Sequence, residues 1–283
     1  MPKVIGMLCE NIKKRSEKKY VSYVLIDAGN SCLKIARVLE LDNNDIKNDI
    51  SYNIIDYTDL YEDLFYELED YTPSKVLVCN VSNPLNFHII SDVIYKLWQI
   101  EAHLVHVEQD KYGLTTLYSN PRTLGADRWV GMIAAREEFK KTLCVVDCGT
   151  AVTIDVVTDI GVHLGGLITP GIKTARDSLG LNANNLPSVE NNSKNINNNA
   201  SSFLATNTQD AILGGTLYQL SAYIERIVSE IKEEFGEGVE CIITGGDAEK
   251  IQALTYHHFH YREALILAGL KIVAREKFCR DSI

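Results

Sequence analysis

LGADRWVGMIAAREEFKKTLCVVDCGTAVTIDVV, residues Leu124–Val157, is the stretch around which the chain is organised. It opens on a tight Gly-Ala-Asp-Arg corner, Gly125 to Arg128, and continues as a helical run with Trp129, Ile133 and Ala134 on an apolar face. A nearly continuous apolar run, Leu143 to Val146, then stops at Asp147-Cys148-Gly149-Thr150 and leads into a second β-rich run, Ala151 to Val157. This pattern predicts a hairpin with one carboxylate at the strand tip, and a second carboxylate at the corner before the helix.

The same phrase occurs earlier. Tyr23 to Val38 reads YVLIDAGNSCLKIARV: an apolar strand, a turn Asp27-Ala28-Gly29-Asn30-Ser31, and another apolar run. Repetition at domain length predicts two similarly built halves facing each other across a cleft.

The wider composition fits an ordinary soluble protein of two domains: 283 residues, 46% hydrophobic and 23% charged. A formal net charge of −10 argues against general nucleic-acid binding, so an anionic substrate would need local cations, dipoles or metal ions. No apolar run approaches the roughly eighteen residues that span a bilayer, so no membrane partner is expected. Residues 1–19 carry Lys13, Lys14, Arg15, Lys18 and Lys19 without an apolar segment behind them, which reads as a disordered basic extension rather than a secretion signal. The cysteines, Cys9, Cys32, Cys79, Cys144, Cys148, Cys241 and Cys279, form no C-x-x-C and sit mostly in apolar runs. They read as small buried hydrophobes of a reducing, cytoplasmic compartment.

Along the chain, Leu39 to Asn53 is polar and turn-rich, with a loop at Asp42–Asp45. Tyr57 to Tyr71 spaces Leu60, Leu64, Phe65 and Leu68 as an acidic amphipathic helix ended by Pro73. A strand (Lys75–Val81), a helix (Asn86–Gln99) and a strand (Glu101–Val107) follow. In the second half, His163 to Gly171 reads as a glycine-rich turn, Ile172 to Leu181 as a helix, and Asn184 to Asn207 as an Asn- and Ser-rich surface excursion. Asp210 to Glu234 is a long helix with Ile212, Leu213, Leu217, Leu220, Ile224, Ile227 and Ile231 on one side. Glu240 to Thr244 is a strand halting at Gly245-Gly246-Asp247, and a helix over Glu263–Arg275 ends the pattern. Strands alternating with helices make this an α/β protein.

In Asp27-x-Gly29-Asn30-Ser31-x-x-Lys34, glycine lets the backbone approach an anion, with neutral donors from the turn and a positive charge from Lys34. Asp27 suits a hydrated Mg²⁺, which needs only one or two carboxylates. Alone the motif is weak, because Asp-Gly turns are common in hairpins. The second copy at Asp147-x-Gly149-Thr150 and the Gly245-Gly246 turn strengthen it. Arg128 offers a planar fork suited to a substrate carboxylate. The bland reading of Asp127-Arg128 is a helix-start acid and a surface arginine.

Six motifs now stand in order: DAGNSCLK (Asp27–Lys34), YSNPRTLGADRW (Tyr118–Trp129), VVDCGTAVTID (Val145–Asp155), HLGGLITPG (His163–Gly171), NTQDAILGG (Asn207–Gly215) and ITGGDA (Ile243–Ala248). Together they resemble the type III pantothenate kinases, of the superfamily that includes acetate and sugar kinases, actin and heat-shock ATPases. The GADRW corner upstream of VVDCGT is the specific feature. The resemblance implies two duplicated actin/ribonuclease H-like domains, 20–124 and 125–283, facing an interdomain cleft. It implies ATP-dependent phosphorylation of pantothenate to 4′-phosphopantothenate, opening coenzyme A synthesis. Asp27, Ala28, Gly29, Asn30, Ser31, Cys32, Leu33 and Lys34 would form the first ATP phosphate loop, and Thr150 would contact ATP from the second. Asp147 would hold a monovalent cation, K⁺ or NH₄⁺. Tyr118, Gly125, Ala126, Asp127 and Arg128 would hold pantothenate, with Asp127 accepting the proton of its primary hydroxyl. A homodimer paired through the 210–234 helix is also implied.

Two departures stand out. The family's usual threonine before a Leu-Pro pair aligns with Ala183, and the N-terminal extension is atypical. His257, His258 and His260, with no carboxylate or cysteine near them in sequence, read as surface or packing residues. The alternative functional reading is a transcription accessory factor with little catalysis; the intact Asp27, Lys34, Asp127 and Asp147 weigh against it. A different phosphotransferase of the superfamily is opposed by the GADRW corner.

Overall fold

A computed structural model describes residues 22–39, 50–182 and 204–278. The basic extension 1–19, the Asp42–Asp45 loop, Ala183, most of the 184–207 excursion, Cys9 and Cys279 lie outside the described residues.

The repeat in the sequence becomes a repeat in topology. In the first half, β1 (Tyr23–Ala28), β2 (Leu33–Val38) and β3 (Tyr52–Ile55) form an antiparallel meander, and β4 (Lys75–Asn80) and β5 (Ala102–Leu104) add parallel to β1, giving the order β3-β2-β1-β4-β5. In the second half, β7 (Leu143–Cys148), β8 (Ala151–Val157) and β9 (Val162–Pro170) form the meander, and β10 (Glu240–Thr244) and β11 (His260–Tyr261) add parallel to β7. The two sheets share one plan. A short β6 (Thr115–Thr116) extends the second sheet beyond β9, so that sheet recruits residues from before Leu124.

Alternation along the strands sorts the core into layers, because successive side chains point to opposite faces. Val24 and Ile26 pack against α1 (Leu60–Leu68) and α2 (Pro84–Trp98), whereas Tyr23 and Leu25 face the opposite way. In β7, Cys144 and Val146 pack against α5 (Thr208–Phe235), with Ile172 of α4 (Ile172–Asn182) and Ile251 of α6 (Ala248–Gln252) in the same cluster. Leu143 and Val145 join Tyr23 and Leu25 in a central cluster with α3 (Ala126–Glu138) and α7 (Leu265–Phe278). These two helices therefore lie between the sheets. That position explains why eight consecutive residues of α3, Arg128 to Ala135, are buried: both faces of the helix are covered. Gly269 of α7 is required there, because a Cβ would stand 2.1 Å from the Val130 carbonyl.

Three local expectations change. The segment His163–Gly171, read as a turn, is a nine-residue strand, β9. Gly165 supplies a positive φ of +137°, and Gly166 makes room: a Cβ there would lie 2.5 Å from both Arg128 Nη2 and Asp155 Oδ1. The polar run to Asn53 ends in an edge strand, β3, whose exposed middle residues give it no alternation signal. The apolar side of α5, expected to meet a partner, is largely used within the chain: Ile212, Leu213, Leu220, Ile224 and Ile231 are buried.

Candidate active site

Both predicted strand tips point into one place. Asp27 closes β1 and pairs in register with Lys34 of β2, so acid and amine stand on the same side of the hairpin. Asp147 occupies the corresponding place in β7, opposite Thr153 of β8 and Thr244 of β10. Asp127 enters from the first turn of α3. The three carboxylates sense one another. Burial raises Asp27 to about 7 against the pull of Lys34, with Asp147 and Asp127 adding to the rise. Burial and Asp127 raise Asp147 to about 6, again against Lys34. Burial also raises Asp127, opposed by the backbone N–H and charge of Arg128.

The two hairpin turns meet across the cleft, with Ser31 Oγ and Thr150 Oγ1 2.7 Å apart. The third turn packs behind the second. Gly245 has φ +97°, and a Cβ there would be 2.6 Å from Asp147 Oδ1; the Asp247 N–H donates to the Cys148 carbonyl at 3.1 Å. Of the eight residues expected in the first loop, the turn itself is Gly29 to Cys32, closed by the Gly29 N–H donating to the Cys32 carbonyl. Ala28 and Leu33 are core residues and can offer only backbone to a ligand. Lys34 Nζ lies 5.2 Å from the centroid of the Tyr52 ring, which steadies the amine at the cleft wall.

The corner Gly125–Arg128 is held by a network that motif reading did not assign. Arg128 is buried, and its Nε and Nη2 donate to Asp155 Oδ2 and Oδ1 at 2.9 and 2.6 Å. The fork expected to meet a substrate carboxylate is thus engaged by Asp155. The reason is burial: a guanidinium shut away from water requires a counter-ion, and the alternating strand β8 supplies one. Although burial alone would lower it, the hydrogen bonds and charge of Asp155 hold the guanidinium protonated. Arg128 Nη1 still donates to the Tyr118 hydroxyl at 3.0 Å, which brings the predicted Tyr118 to the corner.

His163, left without a role by its sequence context, is fully buried and shares Asp155 Oδ1 at 2.8 Å through Nε2. Its Nδ1 lies 2.8 Å from Thr116 Oγ1, which in turn accepts the Tyr118 N–H at 3.2 Å. One proton arrangement satisfies every partner: Nε2–H donates to Asp155, and Nδ1 accepts from Thr116. Asp155 could have been noticed as a charge inside an apolar alternating run; nothing local marks Thr116. Asp127 does fill its bland role, accepting the Arg128 N–H at 2.7 Å, but its carboxylate also couples to Asp27 and Asp147.

The donor set suits hard cations. Asp27 is buried, Asp127 and Asp147 are half-buried, and Lys34 acts on Asp27 and Asp147. Burial is the main reason that all three acids are raised, and a bound cation would favour their ionised forms. Among the described residues no His, Cys, Asp or Glu trio forms a closed metal cage. One or two carboxylates with waters and substrate phosphates is the way Mg²⁺ is usually held. The histidines near the C-terminus pair elsewhere, His260 with Glu240 and His257 with Ser229.

Comparison with known proteins follows the same lines. The sequence profile of the type III pantothenate kinases matches residues 23–230. A type III pantothenate kinase of Nitrosococcus oceani is 35% identical over 208 residues, covering 72% of this chain and 76% of that protein. The chain belongs to the type III pantothenate kinase family. A type III pantothenate kinase of Hydrogenovibrio crunogenus, 28% identical over 250 residues, spans 88% of this chain and 98% of that protein. Among solved structures, a candidate Baf family transcriptional activator from Campylobacter jejuni superposes with a TM-score of 0.51 at 21% identity, covering 89% of this chain and 98% of that one. The last likeness speaks for the fold alone.

Proposed function

We propose that this member of the type III pantothenate kinase family transfers the γ-phosphoryl group of ATP to the primary hydroxyl of pantothenate, yielding 4′-phosphopantothenate, the opening step of coenzyme A synthesis. The convergence of Asp27, Asp127 and Asp147 in one buried cleft, where the Ser31 and Thr150 turns meet, carries this reading. Phosphoryl transfer depends on positioning and charge stabilisation rather than covalent work by the protein. The turn Gly29–Cys32 and Lys34 receive the ATP phosphates, and Thr150 touches them from the other half. Asp127 accepts the hydroxyl proton; its raised pKa brings it closer to neutral pH, where a base works best. Tyr118, with Gly125, Ala126 and Arg128, shapes the pantothenate side.

Asp27 would hold Mg²⁺, which when bound neutralises phosphate charge, and Asp147 would hold K⁺ or NH₄⁺. ATP as phosphoryl donor and the free thiols of Cys32, Cys79, Cys144, Cys148 and Cys241 support a cytoplasmic setting. The accessory-factor reading gains no support from a site whose carboxylates are all in place.

A coupled ADP-release assay tests the reading: turnover should require pantothenate, and should be higher in K⁺ than in Na⁺. Pantothenate-independent hydrolysis would overturn the substrate, and equal rates in the two salts would remove the cation from Asp147.

We also place a second copy of the chain on the face formed by β9, α4 and α5. Leu167, Leu179 and Tyr218 are exposed there, beside a cavity of about 190 Å³ lined by Pro170, Ile172, Ala175 and Tyr223. With most of the apolar side of α5 buried within its own chain, this neighbouring surface supports the pairing. A monomer by light scattering at micromolar concentration would refute it.

A further inference from the structure

The first turn receives a contact from outside its own hairpin. The Tyr57 hydroxyl donates to the Gly29 carbonyl at 2.5 Å and lies 3.2 Å from the Cys32 carbonyl. A hydroxyl has one proton, so the shorter contact is the bond. Tyr57 follows β3 by two residues and is half-buried beneath the turn. Ser82 lies nearby, its own proton given to Asn80 Oδ1 at 2.6 Å and its oxygen accepting from Asn86 Nδ2 at 3.1 Å. Burial pushes the phenol up to about 12, so it remains a donor throughout the working range.

The consequence comes from peptide geometry. In a planar trans peptide the carbonyl and the following N–H point in opposite directions. Drawing the Gly29 carbonyl back toward Tyr57 therefore turns the Asn30 N–H away from Tyr57, and Asn30 is exposed at the tip of the turn. Glycine 29 leaves this plane free to rotate unless something fixes it.

The second half contains a related device one residue further along its turn, on the carbonyl of Thr150 rather than that of Gly149, the counterpart of Gly29. There the Thr174 hydroxyl and the Gly171 N–H both donate to the Thr150 carbonyl, at 2.6 and 3.0 Å. Gly171 and Thr174 come directly after β9, the counterpart of β3, so in each half the segment after the third strand ties back a carbonyl of the first hairpin turn.

We propose that Tyr57 is a positioning residue for the nucleotide: by fixing the Gly29–Asn30 peptide plane it keeps the Asn30 N–H aimed at an ATP phosphate, as Thr174 fixes the plane after Thr150. This rests on the reading of the Gly29–Cys32 turn as a phosphate site. Its role is selective for phosphate-bearing ligands, because the plane it sets contributes nothing to the recognition of a base or ribose.

The test is Tyr57→Phe in the full chain, with binding of Mg·ATP, ADP and adenosine followed by calorimetry or ligand-detected NMR, and with steady-state kinetics. Losing one fixed donor predicts about a tenfold weaker affinity for ATP and ADP. Adenosine binding and the KM for pantothenate should stay within about twofold, and kcat should change less than the KM for ATP. Thr174→Val should show the same selectivity with a smaller loss, because the Gly171 N–H still holds that carbonyl, and provides the parallel measurement if Tyr57→Phe folds poorly. Unchanged ATP affinity in a folded Tyr57→Phe protein overturns the proposal. So does an equal loss for ATP and adenosine, which would make the tyrosine merely structural. A wild-type protein that binds neither ATP nor ADP would instead overturn the phosphate-site reading beneath it.

Discussion

Replacing Asp155 with asparagine is the sharpest perturbation of the corner that holds Asp127. Three N–H donors converge on this carboxylate: Arg128 Nε on Oδ2, and Arg128 Nη2 and His163 Nε2 on Oδ1. Asparagine keeps the shape but replaces one oxygen with an NH₂ group. In either orientation of the amide, that group faces at least one donor with nothing to accept. Arg128 would also lose its counter-ion, and the two side chains are only 6% and 2% exposed, so water cannot substitute. Breaking a buried pair in this way costs about 3–5 kcal/mol. For a protein of this size each kcal/mol lowers the melting temperature by about 2–4 °C, so the expected fall is roughly 6–20 °C. Differential scanning calorimetry at pH 7.5 measures it, with urea unfolding as a second axis. Because Arg128 carries Asp127 and contacts Tyr118, the KM for pantothenate should rise in the surviving folded enzyme while adenosine affinity holds. A melting temperature within 2 °C or so of wild type would refute the reasoning, since it would mean that the Asp155 pair is open to water.

Asp127→Asn preserves shape but cannot accept the substrate proton. The rate constant should fall roughly 10²-fold or more, about 2.7 kcal/mol or above, with ATP affinity unchanged and a normal melt; near wild-type turnover would leave Asp127 as a helix-start residue only. Asp147→Asn should stabilise the ligand-free protein at high pH. An acid held at about 6 when folded, against about 3.9 when free, binds its proton more tightly in the folded state. Its ionised form therefore opposes folding, a cost absent below about pH 4 and complete above about pH 6, reaching about 3 kcal/mol. Melts of the variant and wild type should coincide near pH 4 and separate in the variant's favour at pH 8; the opposite order would show that Asp147 is compensated without a bound cation.

The sequence by itself determined the plan. A repeated strand, turn and strand with an acid at each tip implies duplication, because local patterning encodes both the hairpin and the place where it ends. The GADRW corner and the motifs in order were enough to name the family. The layers were only half legible: continuous apolar runs mark strands buried on both faces, but not that α3 and α7 occupy the space between two sheets. Tertiary structure decided how the pieces are held. Asp155, His163 and Thr116 come from β8, β9 and β6 and become one network only when those strands align. The β9 glycines looked like a turn because glycine's local signal is conformational; Gly165 does carry a positive φ, but Gly166 answers a steric demand from Arg128 and Asp155 on other elements. Tyr57 shows the same limit. In sequence it is the start of an acidic helix; in the fold its hydroxyl reaches a carbonyl 28 residues away. Motifs record the groups that must meet a ligand, while the groups that orient them are selected by distance in space, which no spacing along the chain reveals.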